Sequence, residues 1–333
     1  MSRLRLTLAC GDYDRTRSLE EGEVRPDGIE LTYLRLPVEE TFFRMMRHRE
    51  FEVAEMSLSS FVVSLQEEPP PFVALPVFTS RMFRHGSIYV GSASGISVPG
   101  DLRGRRVGTP EYQLTAGVWI RGILAEHHGV PVDSVRYLTG GQETPGRIEK
   151  VTLKEVIRGG AVCVEPIPAG RTLSRMLAEG EIDALYTPRI PRPFAERDLR
   201  VRRLFPDVVA AEKEYFAATG IFPMMHVVVV RRDVYEAFPW VVQSLYKAFV
   251  RAKQDAYERL YDSSALRVMV PWLNQHVEEA RDLLGTDYWS YGLDANRDAL
   301  STFLRYHHEQ GLSPRQLAPD ELFAPESMES AVI

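Results

Sequence analysis

The chain has 333 residues, enough for two domains, and its 44% hydrophobic and 26% charged residues are typical of a soluble globular protein. A formal net charge of -6 at pH 7 does not favour partners such as nucleic acid or an anionic membrane surface. The two cysteines, Cys10 and Cys163, provide neither a disulfide framework nor a CxxC metal motif, and free thiols suit a reducing cytosol. Because no segment approaches the ~18 apolar residues of a membrane span, and because the N-terminus lacks the apolar run of a signal peptide, we expect a cytoplasmic protein.

Strands alternate with helices along the chain. Period-two and continuous apolar segments predict strands at Leu4–Cys10, Ile29–Leu36, Phe51–Met56, Phe72–Phe78, Ser87–Val90, Val107–Thr109, Val135–Leu138, Ile182–Tyr186 and Met224–Val230. Helical spacing predicts helices at Val38–Arg47, Leu114–His128, Leu173–Glu179, Trp240–Tyr261, His276–Leu284 and Asn296–Gln310. Thr115 is placed to cap the second of these helices and Gly129 to end it. Three prolines exclude regular structure from Thr187–Pro193.

This alternation predicts an α/β protein with mostly parallel sheets and flanking helices. We place crossovers between two lobes near Asp101–Val107 and Ile221–Val227. The first lobe is then discontinuous, with residues 1–103 and 226–333, and the second lobe comprises residues 104–225. In such a pair the ligand is expected in the cleft between lobes, at strand ends and helix N-termini.

The segment SRMFRHGSIYV, residues 80–90, combines two fixed cations with a titratable imidazole at the mouth of an apolar strand. Guanidinium groups such as those of Arg81 and Arg84 match the planar geometry of a carboxylate. The imidazole of His85 can exchange a proton near neutral pH. The segment therefore predicts an anion-handling site, and the alternative is a solvated strand edge with ordinary surface charges.

A second histidine, His226, stands at the entry to a buried strand beside the second crossover, where it could face a ligand or be a satisfied core histidine. Glu111 lies between a strand and a helix, and it completes the catalytic candidates. His85 and His226, with Glu55 or Glu111, could instead ligate a divalent metal. No close-spaced ligand motif is present, so no metal and no cofactor is predicted.

The remaining candidates for ligand binding follow predicted strands or begin predicted helices. Arg17 follows the first strand, although Asp12 or Asp14 could absorb its charge in a local ion pair. Ser57 and Ser59 could donate hydrogen bonds or serve only as helix caps. The other candidates are polar or aromatic residues that could equally be ordinary helix-start or core residues: Tyr112, Thr115 and Trp119.

Several stretches resemble one enzyme family over nearly the whole chain. They are LACGDYDRTR (8–17), HREFEVAEMSLSSF (48–61), FVALPVFTSRMFRHGSIYV (72–90), LRGRRVGTPEYQLTAGVWIRGIL (102–124), TGIFPMMHVVVVRRDVYE (219–236) and FLRYHHEQGL (303–312). In these stretches the chain resembles the 4,5-dihydroxyphthalate decarboxylases, which share the type II periplasmic-binding-protein fold. The resemblance implies a cytoplasmic, homo-oligomeric carboxy-lyase of phthalate degradation that converts 4,5-dihydroxyphthalate to protocatechuate and CO2.

Such a reaction needs an acid that protonates the ring carbon, and His85 is the first candidate for it, followed by His226. An arginine on the departing carboxylate would stabilise the ground state more than the transition state. Arg81 and Arg84 are therefore expected to hold the retained carboxylate. The alternative function is a solute-binding protein that releases a small anionic or aromatic ligand unchanged. A biosynthetic enzyme acting on another small aromatic or pyrimidine-like substrate is a third hypothesis.

Overall fold

A computed structural model describes residues 3–151 and 162–327 of the chain. These residues divide into two compact units. Unit 1 comprises the residues up to Arg81, Met224–Arg297 and the residues from Ala318 onward, and unit 2 comprises Met82–Pro223 and Asp298–Leu317. The sequence prediction placed the boundaries after residues 103 and 225 and assigned residues 298–317 to the first lobe.

The strands of the described residues are β1 (Leu4–Cys10), β2 (Ile29–Arg35), β3 (Val53–Ser57), β4 (Phe72–Arg81), β5 (Ile88–Gly91), β6 (Arg106–Thr109), β7 (Arg136–Thr139), β8 (Cys163–Pro166), β9 (Ala184–Tyr186), β10 (Val201–Arg203) and β11 (Met224–Arg231). The α-helices are α1 (Asp14–Glu20), α2 (Val38–His48), α3 (Leu58–Ser64), α4 (Thr115–His128), α5 (Leu173–Ala178), α6 (Arg192–Ala195), α7 (Val208–Thr219), α8 (Arg232–Ala237), α9 (Val241–Tyr261), α10 (Leu273–Leu284) and α11 (Arg297–Glu309). No helix among these is long and apolar enough to cross a membrane.

The sheet of unit 1 has the strand order β2-β1-β3-β11-β4. The strand β1 pairs in parallel with both β2 and β3. The late strand β11 inserts antiparallel between β3 and β4. Because its neighbours cover both edges and both faces are packed, β11 can be a nearly continuous apolar run, MMHVVVVR, that carries a single histidine.

The sheet of unit 2 has the order β10-β5-β9-β6-β7-β8. Parallel pairing joins β6 to β7 and β9, and β7 to β8, whereas β5 pairs antiparallel with β9 and β10. Helix α11 packs in this unit, since Phe303 lies 5.4 Å from the Trp119 ring and Gln310 accepts a 2.7 Å hydrogen bond from Arg121. These contacts explain why residues 298–317 belong to unit 2.

Local sequence signals account for several element ends. Gly129 adopts φ 62°, a left-handed conformation that glycine tolerates, and ends α4 as predicted. The prediction that Thr115 caps α4 is wrong, because Leu114 occupies the cap position and Thr115 is the first helical residue. The prediction that Thr187–Pro193 has no regular structure is wrong at its end, where α6 begins at Arg192. Pro193 is tolerated there because the N–H groups in the first turn of a helix have no hydrogen-bond partner within the helix.

Candidate active site

The candidate site of unit 1 is built on a carboxylate and an imidazole from neighbouring strands. In the antiparallel pair β3–β11, His226 is opposite Ser57 and Val228 is opposite Glu55. Since residues two apart on a strand share a face, Glu55 and His226 project to the same side of the sheet as diagonal neighbours. The Nδ1 atom of His226 lies 2.6 Å from Oε1 of Glu55.

The Glu55 carboxylate is fully buried and accepts a dense set of hydrogen bonds. Oε1 accepts from the Tyr13 hydroxyl at 2.7 Å and from the Thr79 hydroxyl at 2.8 Å. Oε2 accepts from the backbone N–H of Gly11 at 3.0 Å, and the Cys10 thiol lies 3.6 Å away. A buried carboxylate with this many donors is a fixed negative charge rather than a proton donor.

Electrostatics agree with that description. Burial by itself raises the pKa of Glu55, but the His226 imidazole and the hydrogen bonds from His226, Tyr13 and Gly11 outweigh burial and lower this pKa to about 2. The ionised carboxylate accepts a hydrogen bond, so the Nδ1 atom of His226 carries the proton of that contact. Nε2 is then the ring nitrogen left for a ligand, on a side chain that is 16% exposed.

Arg15 joins the same hydrogen-bonded cluster. Its Nε donates to the carbonyl oxygen of Thr79 at 2.5 Å, and the Thr79 hydroxyl bonds to Glu55. The guanidinium lies between two aromatic rings, 4.1 Å from the Tyr13 centroid and 4.2 Å from the Trp289 centroid. The cluster therefore places a rigidly held cation beside the Glu55–His226 pair.

His85, the first acid candidate from the sequence, lies in unit 2 in very different surroundings. It is buried, and its ring packs against Phe205 at 5.2 Å and Tyr215 at 5.4 Å. Nδ1 has no hydrogen-bond partner among the residues that the structure describes. Burial, with smaller contributions from the charges of His128 and His127, lowers the pKa of His85 to about 4, so the ring is neutral at pH 7. A neutral imidazole without a carboxylate partner is a poor proton donor.

The two arginines of the same segment fall in different units. Arg81 ends β4 in unit 1, where its Nη2 donates to the carbonyl oxygen of Ser290 at 2.8 Å and to the side-chain oxygen of Asn296. Arg84 lies in unit 2, and its Nη1 is 3.5 Å from the Ser87 hydroxyl. Burial lowers the pKa of each arginine to about 10, so both stay charged at pH 7. The predicted trio is therefore divided, because Arg81 belongs to unit 1 whereas Arg84 and His85 belong to unit 2.

Glu111 is neutralised by cations of its own unit. Lys150 Nζ lies 2.8 and 2.9 Å from its two carboxylate oxygens, and Arg147 Nε lies 2.8 Å from Oε1. Burial raises the pKa of Glu111, but the charges of Lys150 and Arg147 outweigh burial and lower it. Glu111 is therefore an ion-paired carboxylate in unit 2, and its predicted catalytic role stays a prediction.

Two of the aromatic candidates lie in the core of unit 2. Tyr112 and Trp119 are fully buried. The Tyr112 hydroxyl donates to the carbonyl oxygen of Gln310 at 3.2 Å, and its ring lies 3.9 Å from the Arg121 guanidinium. Thr115 is buried at the start of α4. These contacts are those of packed core residues, so a role in ligand binding stays a prediction.

The remaining candidates belong to unit 1. Arg17 lies on α1 rather than in a loop, is 51% exposed, and faces Asp12 at 3.8 Å, which is the local ion pair weighed from the sequence. Ser57 ends β3 and occupies the N-cap position of α3 without a side-chain capping bond, and Ser59 is buried inside that helix. Ser57 is thus the candidate that the β3–β11 register places next to His226.

The predicted metal alternative finds no ligand cluster. Within residues 3–151 and 162–327, no group of three or more His, Cys, Asp or Glu side chains is placed to hold a metal ion. The four residues named for it also divide between the units, Glu55 and His226 in unit 1, His85 and Glu111 in unit 2.

Sequence reasoning missed Tyr13 and Arg15 and treated Cys10 only as a buried thiol. One signal was available, because the segment GDYDRTR (11–17) directly follows the first parallel strand, at the edge where ligands of α/β sheets bind. Of the two arginines in this segment, Arg15 is 15% exposed and Arg17 is 51% exposed, a difference set by the helical phase of the unpredicted α1.

Comparison with known proteins assigns the family. No family model matches the chain. It is 43% identical over 330 residues to a 4,5-dihydroxyphthalate decarboxylase of Comamonas testosteroni, covering 99% of both chains. It is also 43% identical over 218 residues to a protein of the same name from Pseudomonas putida, covering 66% of this chain and 83% of the relative.

Among solved structures, the periplasmic sulfonate-binding protein SsuA from Methylobacillus flagellatus aligns with a TM-score of 0.55 at 13% identity, over 98% of this chain and 93% of that chain. This likeness confirms the predicted fold, that of the periplasmic binding proteins, and nothing about ligands. The chain belongs to the 4,5-dihydroxyphthalate decarboxylase family.

Proposed function

We propose that this protein is a carboxy-lyase that decarboxylates 4,5-dihydroxyphthalate to protocatechuate and CO2. The observation that carries the proposal is 43% identity over 99% of the chain to a relative of that name. The Glu55–His226 pair supports it, because nonoxidative decarboxylation of a phenol requires a positioned proton donor.

In the proposed mechanism, Nε2 of a protonated His226 delivers a proton to the ring carbon that bears the departing carboxylate. The hydroxyl para to that carbon pushes electron density onto it, which makes the carbon basic enough to accept the proton. The C–C bond to the carboxylate then breaks, its electron pair restores the aromatic ring, and CO2 leaves. The ionised Glu55 balances the charge of the imidazolium before the transfer and fixes the ring orientation.

The reaction needs no redox partner, since the electrons of the broken bond remain in the ring. We propose catalysis without a metal or another cofactor, because the Glu55–His226 pair can provide the proton that this redox-neutral step requires, with the small aromatic carboxylate as the ligand. A cytoplasmic location and a homo-oligomeric state are part of the same proposal. The location is supported by the two cysteines, both free thiols, one buried and one partly exposed.

The proposal is tested by incubating the full chain with 4,5-dihydroxyphthalate in D2O and following CO2 and protocatechuate. We expect stoichiometric CO2 and one non-exchanging deuterium on the ring carbon next to the retained carboxylate. Phthalate, which lacks the activating hydroxyls, is the matched control and should not react. Recovery of unchanged 4,5-dihydroxyphthalate after saturable binding would contradict the proposal and support a solute-binding protein.

A further inference from the structure

A small pocket opens in unit 1. It has a volume of about 230 Å³, and it is lined by Asp14, Arg15, Lys253, Ala256, Tyr257, Leu260, Tyr288 and Trp289. Pockets for drug-sized ligands measure roughly 300–1,000 Å³, so this one suits a smaller molecule, on the scale of a single substituted ring. Most of these lining side chains are aromatic or aliphatic, which favours a flat apolar face on the ligand.

The guanidinium of Arg15 is held in place, but not all of its N–H groups donate hydrogen bonds to the residues that the structure describes. Nε of Arg15 donates to the carbonyl oxygen of Thr79, and Nη1 lies 3.1 Å from Asp14. Nη2 has no hydrogen bond to the residues that the structure describes. Asp14 is 61% exposed, and an ion pair with so exposed a partner contributes little, so the positive charge of Arg15 is not cancelled.

The aromatic walls are also held in place. Trp289 donates its indole N–H to the carbonyl oxygen of Phe78 at 2.9 Å and its backbone N–H to the Tyr257 hydroxyl at 2.8 Å. The Tyr288 ring packs edge-on against Tyr257 at 5.2 Å. Rings and guanidinium are thus oriented before a ligand arrives, which lowers the entropic cost of binding.

We infer that this pocket binds a small aromatic carboxylate, with the guanidinium of Arg15 holding the carboxylate and Trp289, Tyr257 and Tyr288 surrounding the ring. A planar guanidinium matches a carboxylate in a fork geometry. The further oxygens of a phosphate or sulfate would meet aliphatic and aromatic side chains, the Asp14 carboxylate and a Lys253 ammonium that is already paired with Asp287. The inference rests on the proposed function in one respect, which is that the carboxylate held by Arg15 is the one that the reaction retains. Arg15 then takes the anchoring role that the sequence suggested for Arg81 and Arg84.

A chain of three hydrogen bonds connects Arg15 to the proposed proton donor. Arg15 bonds to Thr79, Thr79 bonds to Glu55, and Glu55 bonds to His226, with distances of 2.5, 2.8 and 2.6 Å. Tyr13 makes a second link, since its ring lies against the Arg15 guanidinium and its hydroxyl bonds to Glu55. A carboxylate on Arg15 would therefore fix the ring relative to the imidazole.

The test measures binding of phthalate, which carries both carboxylates and lacks the activating hydroxyls, by titration calorimetry with the full chain. We expect R15Q to bind phthalate at least thirtyfold more weakly than the wild type, and R15K, which keeps the charge without the fork, to fall between them. R5Q is the matched control, because Arg5 is 84% exposed in the same unit and should leave the affinity unchanged.

A second variant guards against a folding defect. Ala256→Phe occupies the pocket while keeping Arg15 and its partners in the sequence, and it should also weaken phthalate binding at least tenfold. Thermal unfolding of each variant establishes that it is folded. Equal affinity of R15Q, A256F and R5Q for phthalate, or no saturable binding of phthalate by the wild type, would overturn the inference. Arg15-dependent binding without CO2 release from 4,5-dihydroxyphthalate would leave the inference standing and overturn the proposed function instead.

Discussion

Two histidines, a partly exposed one in unit 1 and a buried one in unit 2, have chemically opposite surroundings. His226 in unit 1 contacts an ionised carboxylate at 2.6 Å, and Phe42 packs edge-on against its ring at 4.8 Å. His85 in unit 2 packs against Phe205 and Tyr215, and the His128 imidazole lies 6.5 Å away. A carboxylate stabilises a protonated ring, and aromatic burial beside other imidazoles opposes protonation.

The difference teaches that proton donation depends on a partner from a strand distant in sequence. Glu55 and His226 are 171 positions apart and meet only because β11 inserts beside β3. The segment around His85 is richer in local cations, yet the groups that shift the pKa of His85 are other imidazoles and not a carboxylate. A dense local motif therefore does not by itself provide a histidine with a carboxylate partner.

The sharpest way to break this comparison is to remove each imidazole in turn. H226Q should reduce kcat for 4,5-dihydroxyphthalate by about 10³-fold, within the range of general acid catalysis. H85Q should reduce kcat by less than about tenfold, because a neutral, aromatic-packed ring contributes no proton. Steady-state kinetics of protocatechuate formation at pH 7 measures both.

Glu55→Gln is the companion variant, since it keeps the shape of the side chain and removes its charge. It should lower kcat by about 10²-fold while leaving KM little changed, because Glu55 acts through His226 and does not touch the ligand. If H85Q proves as damaging as H226Q, the assignment of the acid to unit 1 is wrong.

The pH dependence of stability should separate the same two regions. The pKa of His85 is about 4 in the folded protein and roughly 6.5 when unfolded, so the unfolded state binds more protons between these values. The free energy of unfolding should therefore fall by up to about 3 kcal/mol as the pH drops from 6.5 to 4. Urea unfolding at intermediate pH values measures this loss, and H85Q should flatten it.

Glu55 also makes the free energy of unfolding fall as the pH drops, but over a lower pH range. Its pKa is about 2 when folded and roughly 4.3 when unfolded, so its contribution is present above pH 4.3 and is lost as the pH falls toward 2. E55Q should leave the slope between pH 6.5 and 4 unchanged. If E55Q rather than H85Q flattens the pH dependence of unfolding between pH 6.5 and 4, the environments described for these two residues are wrong.

Much of the fold could be predicted from the sequence because its signals are local. The alternation of Leu4–Cys10 and the helical spacing of Val38–Arg47 reproduce β1 and most of α2. Two of the short helices escaped prediction, since α1 and α3 have only seven residues each and a periodic pattern is hard to recognise over two turns. Helix α7 escaped for another reason, since little of it is buried and its apolar residues form no single face.

The candidate site was harder to predict because its contacts are long-range. Sequence named His226 and considered Glu55 only as a metal ligand, and nothing local indicated that β11 would bring them together. The sequence alone does not distinguish Arg15 from Arg17, since both are arginines in the same short segment. Only the phase of α1 decides that Arg15 lies between Tyr13 and Trp289 while Arg17 faces solvent.

The smallest effect on activity is expected from chemical labelling of the two cysteine thiols, one in each unit. Burial, and then the negative charge of Glu55, raises the pKa of Cys10 far above its usual range, and its side chain is fully buried. Cys163 is partly exposed on β8. Iodoacetamide at pH 8 should therefore label the native protein once, at Cys163, with little change in activity, as peptide mass spectrometry can establish. C163S should stay unlabelled until denaturant exposes Cys10. Rapid labelling of Cys10 in native C163S would mean that the surroundings of Glu55 are open to solvent, and the fixed, buried carboxylate on which the His226 assignment depends would have to be abandoned.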